Sequence, residues 1–111
     1  MERFIKGDVV VIPFPFSDLT AIKKRPALVL SDIPGDDILL CQITSQCPDE
    51  KYAVPLSSKD FISGSLPIFS FIRPTRIFTA DKQLILKKAG HVSSKLLQEV
   101  VRNIISILKV S

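Results

Sequence analysis

What most limits the fold of this chain is how often its apolar runs are interrupted. Before residue 91 they come as short segments, "VVVIPFPF", "PALVLS", "ILLCQITSQ", "KYAVPL", "IFSFI", "TRIFT" and "QLILKKAG", separated by prolines, glycines or polar runs. Short, closely spaced segments rich in β-branched and aromatic residues predict the strands of a small barrel or sandwich. Pro13 and Pro15 cannot donate to a ladder, so the first strand is expected at a sheet edge or curling away through a bulge. "SDLTAIKK" reads as a polar loop, "DIPGDD" as a turn and "CPDE" as a loop. Pro55 is expected to end the fourth strand, and Pro74 to break "IFSFI" from "TRIFT". "SSKDFISGS" suits a single helical turn capped by Ser57 or Ser58.

From Ser93 the period changes. Leu96, Leu97, Val100, Val101, Ile104, Ile105 and Leu108 recur at helical spacing, with Lys95, Gln98, Glu99, Arg102 and Asn103 between them. This predicts an amphipathic helix of about four turns, started by Ser93 or Ser94, whose apolar stripe packs on the sheet or on a second copy. The 111 residues suffice for one domain, 1–111, and the composition, 46% apolar and 23% charged, is that of a globular protein.

Several chemistries lack their parts. Cys41 and Cys47 have no second cysteine pair or histidine cluster beside them, so no metal site is expected. His91, the lone histidine, reads as structural or exposed. There is no phosphate-cradling glycine-rich loop and no nucleophile elbow. Asp36, Asp37, Asp49 and Glu50 all fall in loop-like stretches, which weakens any paired-carboxylate chemistry. The few cysteines and the lack of a signal segment or membrane-spanning run predict a cytoplasmic protein with no membrane association.

Charge is the more informative signal. The net charge is +4; residues 1–60 carry 7 basic and 9 acidic side chains, and residues 61–111 carry 8 and 2. This imbalance favours an anionic partner on a surface that the later elements help to build. "KKRPALVLS" sets Lys23, Lys24 and Arg25 against a buried-looking strand, and Arg25 is held between loop and Pro26. A guanidinium in a fixed position calls for a partner.

In order, "GDVVVIPFPFSD", "KKRPALVLS", "ILLCQITSQ", "IFTADKQLI" and "AGHVSSKLL" resemble the MazF/PemK family of type II toxin-antitoxin ribonucleases over nearly the whole chain. The resemblance implies an SH3-like barrel with a C-terminal helix, a homodimer and a cognate antitoxin protein. It also implies metal-independent cleavage of single-stranded RNA without a cofactor, by attack of the neighbouring 2′-hydroxyl on phosphorus. Arg25 of the "RPA" motif and Thr44 of "ITSQ" match the family's catalytic residues. Lys23, Lys24, Ser45, Ser70 and Arg73 are the further RNA-binding candidates. Relatives often carry an acidic residue where this chain has Ser70, so an acid or base role does not transfer to that position. Two other readings use the same architecture: a CcdB-like toxin that binds DNA gyrase without enzymatic activity, and an inactive relative that binds only an antitoxin.

Overall fold

The computed structural model describes residues 3–15 and 22–110. Within them the chain forms β1 (Asp8–Pro15), β2 (Ile22–Ser31), β3 (Asp37–Thr44), β4 (Val54–Leu56), β5 (Phe61–Gly64), β6 (Ser70–Asp81), β7 (Lys87–Val92) and α1 (Ser94–Leu108). The strands make one sheet in the order β4-β6-β3-β2-β1-β7-β5, with every pairing antiparallel. Strand twist curls a sheet of this width into a half-barrel, closed by the C-terminal helix. The architecture is the small β barrel with a terminal helix that the segment pattern predicts.

The central strands are buried on both faces, which is why "ALVL" and "ILLCQI" read as continuous rather than alternating apolar runs. On one side Leu28, Cys41, Ile43, Ile72 and Val92 pack with Leu96 and Val100 of α1. On the other, Val10, Ile12, Ala27, Val29, Ile38 and Leu40 pack with Phe4. Adjacent residues such as Leu28 and Val29 therefore serve different cores.

The prolines mark where the ladders change. β1 runs through Pro13 and Pro15, yet it pairs with β7 only from Asp8 to Val11, and beyond Val11 only β2 accompanies it. The expected edge character is thus local. β4 also runs through Pro55 instead of ending there, which an edge strand tolerates.

Pro74 does not end a strand either: β6 passes through it. Cys41 pairs with Ile77 and Ile43 with Ile72, so β6 residues 73–76 stand against Gln42 alone. This bulge is stapled. The Glu50 carboxylate accepts from Arg73 Nε at 2.9 Å and from the Thr75 amide at 3.1 Å. Cys41 Sγ donates to the Arg73 carbonyl at 3.0 Å. Burial acts to raise the Glu50 carboxyl, but the hydrogen bonds from Arg73 and Thr75, together with the Arg73 charge, outweigh it and hold it below the usual carboxylate range.

Other boundaries differ from the sequence reading. Ile22, Lys23 and Lys24 belong to β2, while residues 17–21 of the expected loop lie outside the described residues. In "SSKDFISGS" the expected turn forms as a 3-10 turn over Ser58–Asp60, and the rest becomes strand β5. Residues Lys82–Leu84 form a second 3-10 turn, so the last strand starts at Lys87. His91 is structural: its Nδ1 lies 2.8 Å from Asp8 Oδ1, and Asp8 is buried and also accepts from the Ile5 amide at 2.9 Å. Ser93 caps α1, its hydroxyl accepting from the Leu96 amide at 3.2 Å. Leu96 and Val100 are buried, whereas Val101, Ile105 and Leu108 are exposed, so the apolar stripe is only half covered.

Two predictions follow from these constraints. Removing the staple with Glu50→Ala leaves a guanidinium and a strand amide without their acceptor, and should cost about 1–3 kcal/mol in urea unfolding at neutral pH. The Glu50 pKa is lower in the folded chain than in the unfolded one, so its contribution is present above the unfolded value of about 4.3. It disappears as pH falls through the depressed folded value, and the gap between wild type and variant should close in acid. Gly64 and Gly35 both have positive φ, +64° and +93°, so alanine is strained at either. Only at Gly64 would the added carbon also strike backbone, 2.1 Å from the Ala89 carbonyl oxygen, whereas at Gly35 nothing lies within 4 Å. Gly64→Ala should therefore lower the urea midpoint more than Gly35→Ala does.

Candidate functional site

The two basic residues that precede Arg25 are part of a strand, and this decides where their charges go. In the β1–β2 ladder Phe14 faces Lys23, Pro13 faces Lys24 and Ile12 faces Arg25. Past Val11 the other side of β1 has no strand beside it, and a groove of about 710 Å³ opens there. β2 contributes Lys23, Lys24, Arg25 and Pro26 to its lining, the end of β3 and the turn after it contribute Ile43, Ser45 and Gln46, and β7 contributes Lys87 and Ala89. The β5–β6 loop forms the opposite wall with Ser65, Leu66, Pro67 and Ile68, and Ser70 follows.

Among the described residues, no aspartate, glutamate or histidine lines the groove. Lys23, Lys24, Arg25 and Lys87 therefore give it a positive potential that suits an anionic ligand. The apolar walls reduce the screening that such an anion would otherwise feel. Arg25 is half-buried and its Nε is enclosed, so the direction of the guanidinium is constrained. Such a fork is suited to meeting two oxygens of one phosphoryl group.

The candidate residues fall into distinct places. Lys23, Lys24, Arg25, Ser45 and Ser70 all line the groove; Thr44 and Arg73 do not. Thr44 Oγ1 accepts from the Gln46 amide at 3.2 Å, a local turn that presents Ser45 and Gln46 to the groove. The β2–β3 ladder ends with Ala27 opposite Gln42, and the same register carried on for two residues would set Arg25 across from Thr44. Residues directly opposite in an antiparallel pair share a face. Ser70 is buried, and its hydroxyl donates to the Ile68 carbonyl at 2.8 Å, fixing the loop that forms the opposite wall. Arg73 is engaged by Glu50 in the bulge staple.

Sequence reasoning missed Lys87, Gln46 and Ser65. Lys87 was legible only as one of two lysines in an expected strand, and choosing between Lys87 and Lys88 needs the pleat: Lys87 lines the groove, while Lys88 lies 3.5 Å from Asp8. The source of the charge is also different from the expectation. Three of the four groove cations come from β2, within the half of the sequence that is acidic overall, and the basic second half supplies only Lys87.

The cysteines take no part in the groove lining. Burial, followed by the neighbouring Glu50 charge, pushes the Cys41 thiol up to about 12, so it stays protonated and unreactive at neutral pH. Among the described residues no three His, Cys, Asp or Glu side chains are grouped so as to hold a metal ion, and no helix is long and apolar enough to cross a membrane.

Comparison with known proteins bears on the fold and the family. A crystal structure of MazE-MazF (Form-III) from Deinococcus radiodurans contains a chain 20% identical to this one, with a TM-score of 0.76 over 96% of this chain and 97% of that chain. An endoribonuclease in complex with its cognate antitoxin from Mycobacterial species is 16% identical, with a TM-score of 0.74 over 96% and 95%. The Mycobacterium tuberculosis toxin MazF-mt6 is 13% identical, with a TM-score of 0.69 over 92% and 98%. At these identities the likeness is one of fold. No curated protein matches the chain. Residues 5–108 match the family model described as PemK-like, MazF-like toxin of type II toxin-antitoxin system, and the chain belongs to that family.

Proposed function

We propose that this toxin is an endoribonuclease that cuts single-stranded RNA in the cationic groove. The observation that carries the reading is a groove whose described lining includes the cations Lys23, Lys24, Arg25 and Lys87. A polyanion whose phosphates track such a groove gains from every cation it meets. The description of similar structures as endoribonucleases and as antitoxin complexes supports the same reading.

In the proposed reaction the 2′-oxygen attacks the adjacent phosphorus and the bond from phosphorus to the 5′-oxygen breaks. The products are a 2′,3′-cyclic phosphate and a free 5′-hydroxyl. The proton lost from the 2′-hydroxyl passes to solvent, and the departing oxygen regains one from solvent, since among the described residues no carboxylate or imidazole lines the groove. The RNA supplies its own nucleophile, so the protein's task is to stabilise charge. Arg25 meets the phosphoryl oxygens as negative charge grows on them. Thr44 acts beside it, since a hydroxyl that accepts from the Gln46 amide keeps its own proton to donate to the same group. The step needs no metal ion and no other cofactor.

We take the active form to be a cytoplasmic homodimer related by a two-fold axis, which would cover the exposed Ile105 and Leu108 of α1. The cognate antitoxin lies over Arg25 in this reading and competes with RNA for the groove.

The test is purified protein with a long single-stranded RNA in excess chelator, which should still be cut. Intact RNA at every sequence tried, while expression of the chain still arrests growth, would instead favour gyrase binding. Arg25→Lys keeps the charge but loses the planar fork, and should lower the cleavage rate on the order of 10²- to 10³-fold while RNA binding weakens only modestly. Cleavage close to the wild-type rate would make Arg25 an electrostatic guide only. Lys87→Ala should weaken RNA binding similarly for all sequences and reduce the slope of log affinity against log salt by about 1.

A further inference from the structure

A second, smaller cavity of about 230 Å³ adjoins the cationic groove. It is lined by Leu56, Ser57, Ser58 and Phe61 on one side and by Leu66, Pro67, Ile68 and Phe69 on the other. Leu66, Pro67 and Ile68 line both cavities, so one short segment of the β5–β6 loop is the wall between them. The two differ sharply in character. Among the described residues, the groove is lined by four cations, whereas no charged residue lines the small cavity.

We infer that this cavity is a nucleobase subsite that receives one base of the RNA strand whose phosphates lie in the groove, an inference that rests on the ribonuclease reading. A phosphate is excluded there because it would lose water without gaining a countercharge. A base is a flat, uncharged heterocycle with polar edges, and the lining offers both kinds of contact. Phe61 and Phe69 are aromatic surfaces, and Phe69 is 55% exposed in the protein alone. Phe69 meets Phe71 edge to face, with ring centroids 5.4 Å apart, so the plane of its ring is already set. Presetting the ring lowers the ordering cost of stacking a base on it. Ser57 Oγ donates to Asp60 Oδ2 at 3.3 Å, which leaves the serine oxygen to accept from an N–H on the base edge, and Ser58 adds a second hydroxyl.

The shared wall is also firmly placed. Ser70 holds the Ile68 carbonyl, and Gly64, at positive φ, brings the start of the loop against Ala89. The phosphate track and the base cavity therefore keep a constant separation. Such a subsite reads identity at one position offset from the cut, because a base that cannot satisfy the two serines is penalised there and nowhere else.

The experiment compares wild type with Phe69→Ala and Phe69→Tyr in three measurements: cut sites in a randomised RNA pool, KM on short oligoribonucleotides, and equilibrium binding of those oligonucleotides with each base in turn replaced by an abasic unit. Phe69→Ala should flatten the preference at one position and weaken binding roughly 5- to 100-fold, as loss of one stacked base does. Phe69→Tyr should restore both. An abasic unit at that same position should weaken wild type and leave Phe69→Ala almost unaffected, whereas abasic units elsewhere should affect the two proteins alike. Unchanged cut sites and binding in Phe69→Ala, in a wild type that does cut, would overturn the subsite and leave the ribonuclease reading standing. A wild type that binds RNA without cutting it would overturn the ribonuclease reading, and the abasic series would still decide the subsite. Failure to bind RNA at all would overturn both.

Discussion

The structure depends on the interruption of the β3–β6 ladder. If the register that pairs Cys41 with Ile77 ran on unbroken, Thr44 would face Pro74, a residue with no amide to donate. Four residues are instead set against Gln42, and the ladder resumes with Ile43 opposite Ile72. The backbone groups freed by that change need partners, and Glu50 and Cys41 supply two of them, for the Thr75 amide and the Arg73 carbonyl. The resumed register sets Ile43 and Thr44 against the first part of β6, and β6 pairs with β4 on its other edge. Ser70 and the loop it ties are thereby brought across from β2, and the groove lies between them.

Charge follows from the same arrangement. β2 carries three consecutive cations, Lys23, Lys24 and Arg25, and like charges so close in one strand repel each other. Glu50 holds the bulge, and Asp8 is enclosed with His91 and Lys88 at the start of β1. These two carboxylates hold the frame together. A polyanion in the groove, as proposed, would offset that repulsion.

Pattern made the architecture legible but not its joints. The change from short β segments to a 3.6-residue period located α1 and its cap at Ser93, because both signals are local in the chain. The family resemblance rested on ordered motifs that are equally local. Pro55 and Pro74 were harder: a proline read alone suggests an end, whereas an edge strand or a stapled bulge can carry one through. Arg73 shows the same limit, since its partner Glu50 is 23 residues away and falls in what looks like an ordinary acidic loop.

By itself the sequence determined a mostly β chain ending in an amphipathic helix, the family to which it belongs, and a run of cations entering its second strand. These properties are set by neighbours in the chain: side-chain period, the missing amide of proline, and the order of short motifs. Only the tertiary structure decided which of those features share a site. It put Lys87 rather than Lys88 beside β2, drew Arg73 out of the groove into an ion pair, buried Ser70 as the tie for the opposite wall, and set the Thr44 hydroxyl to hold the next turn. Each depends on strand register and on the two-residue pleat, where a shift of one position moves a side chain to the other face of the sheet. Register here is fixed by contacts between residues far apart in the chain, so no local pattern encodes it.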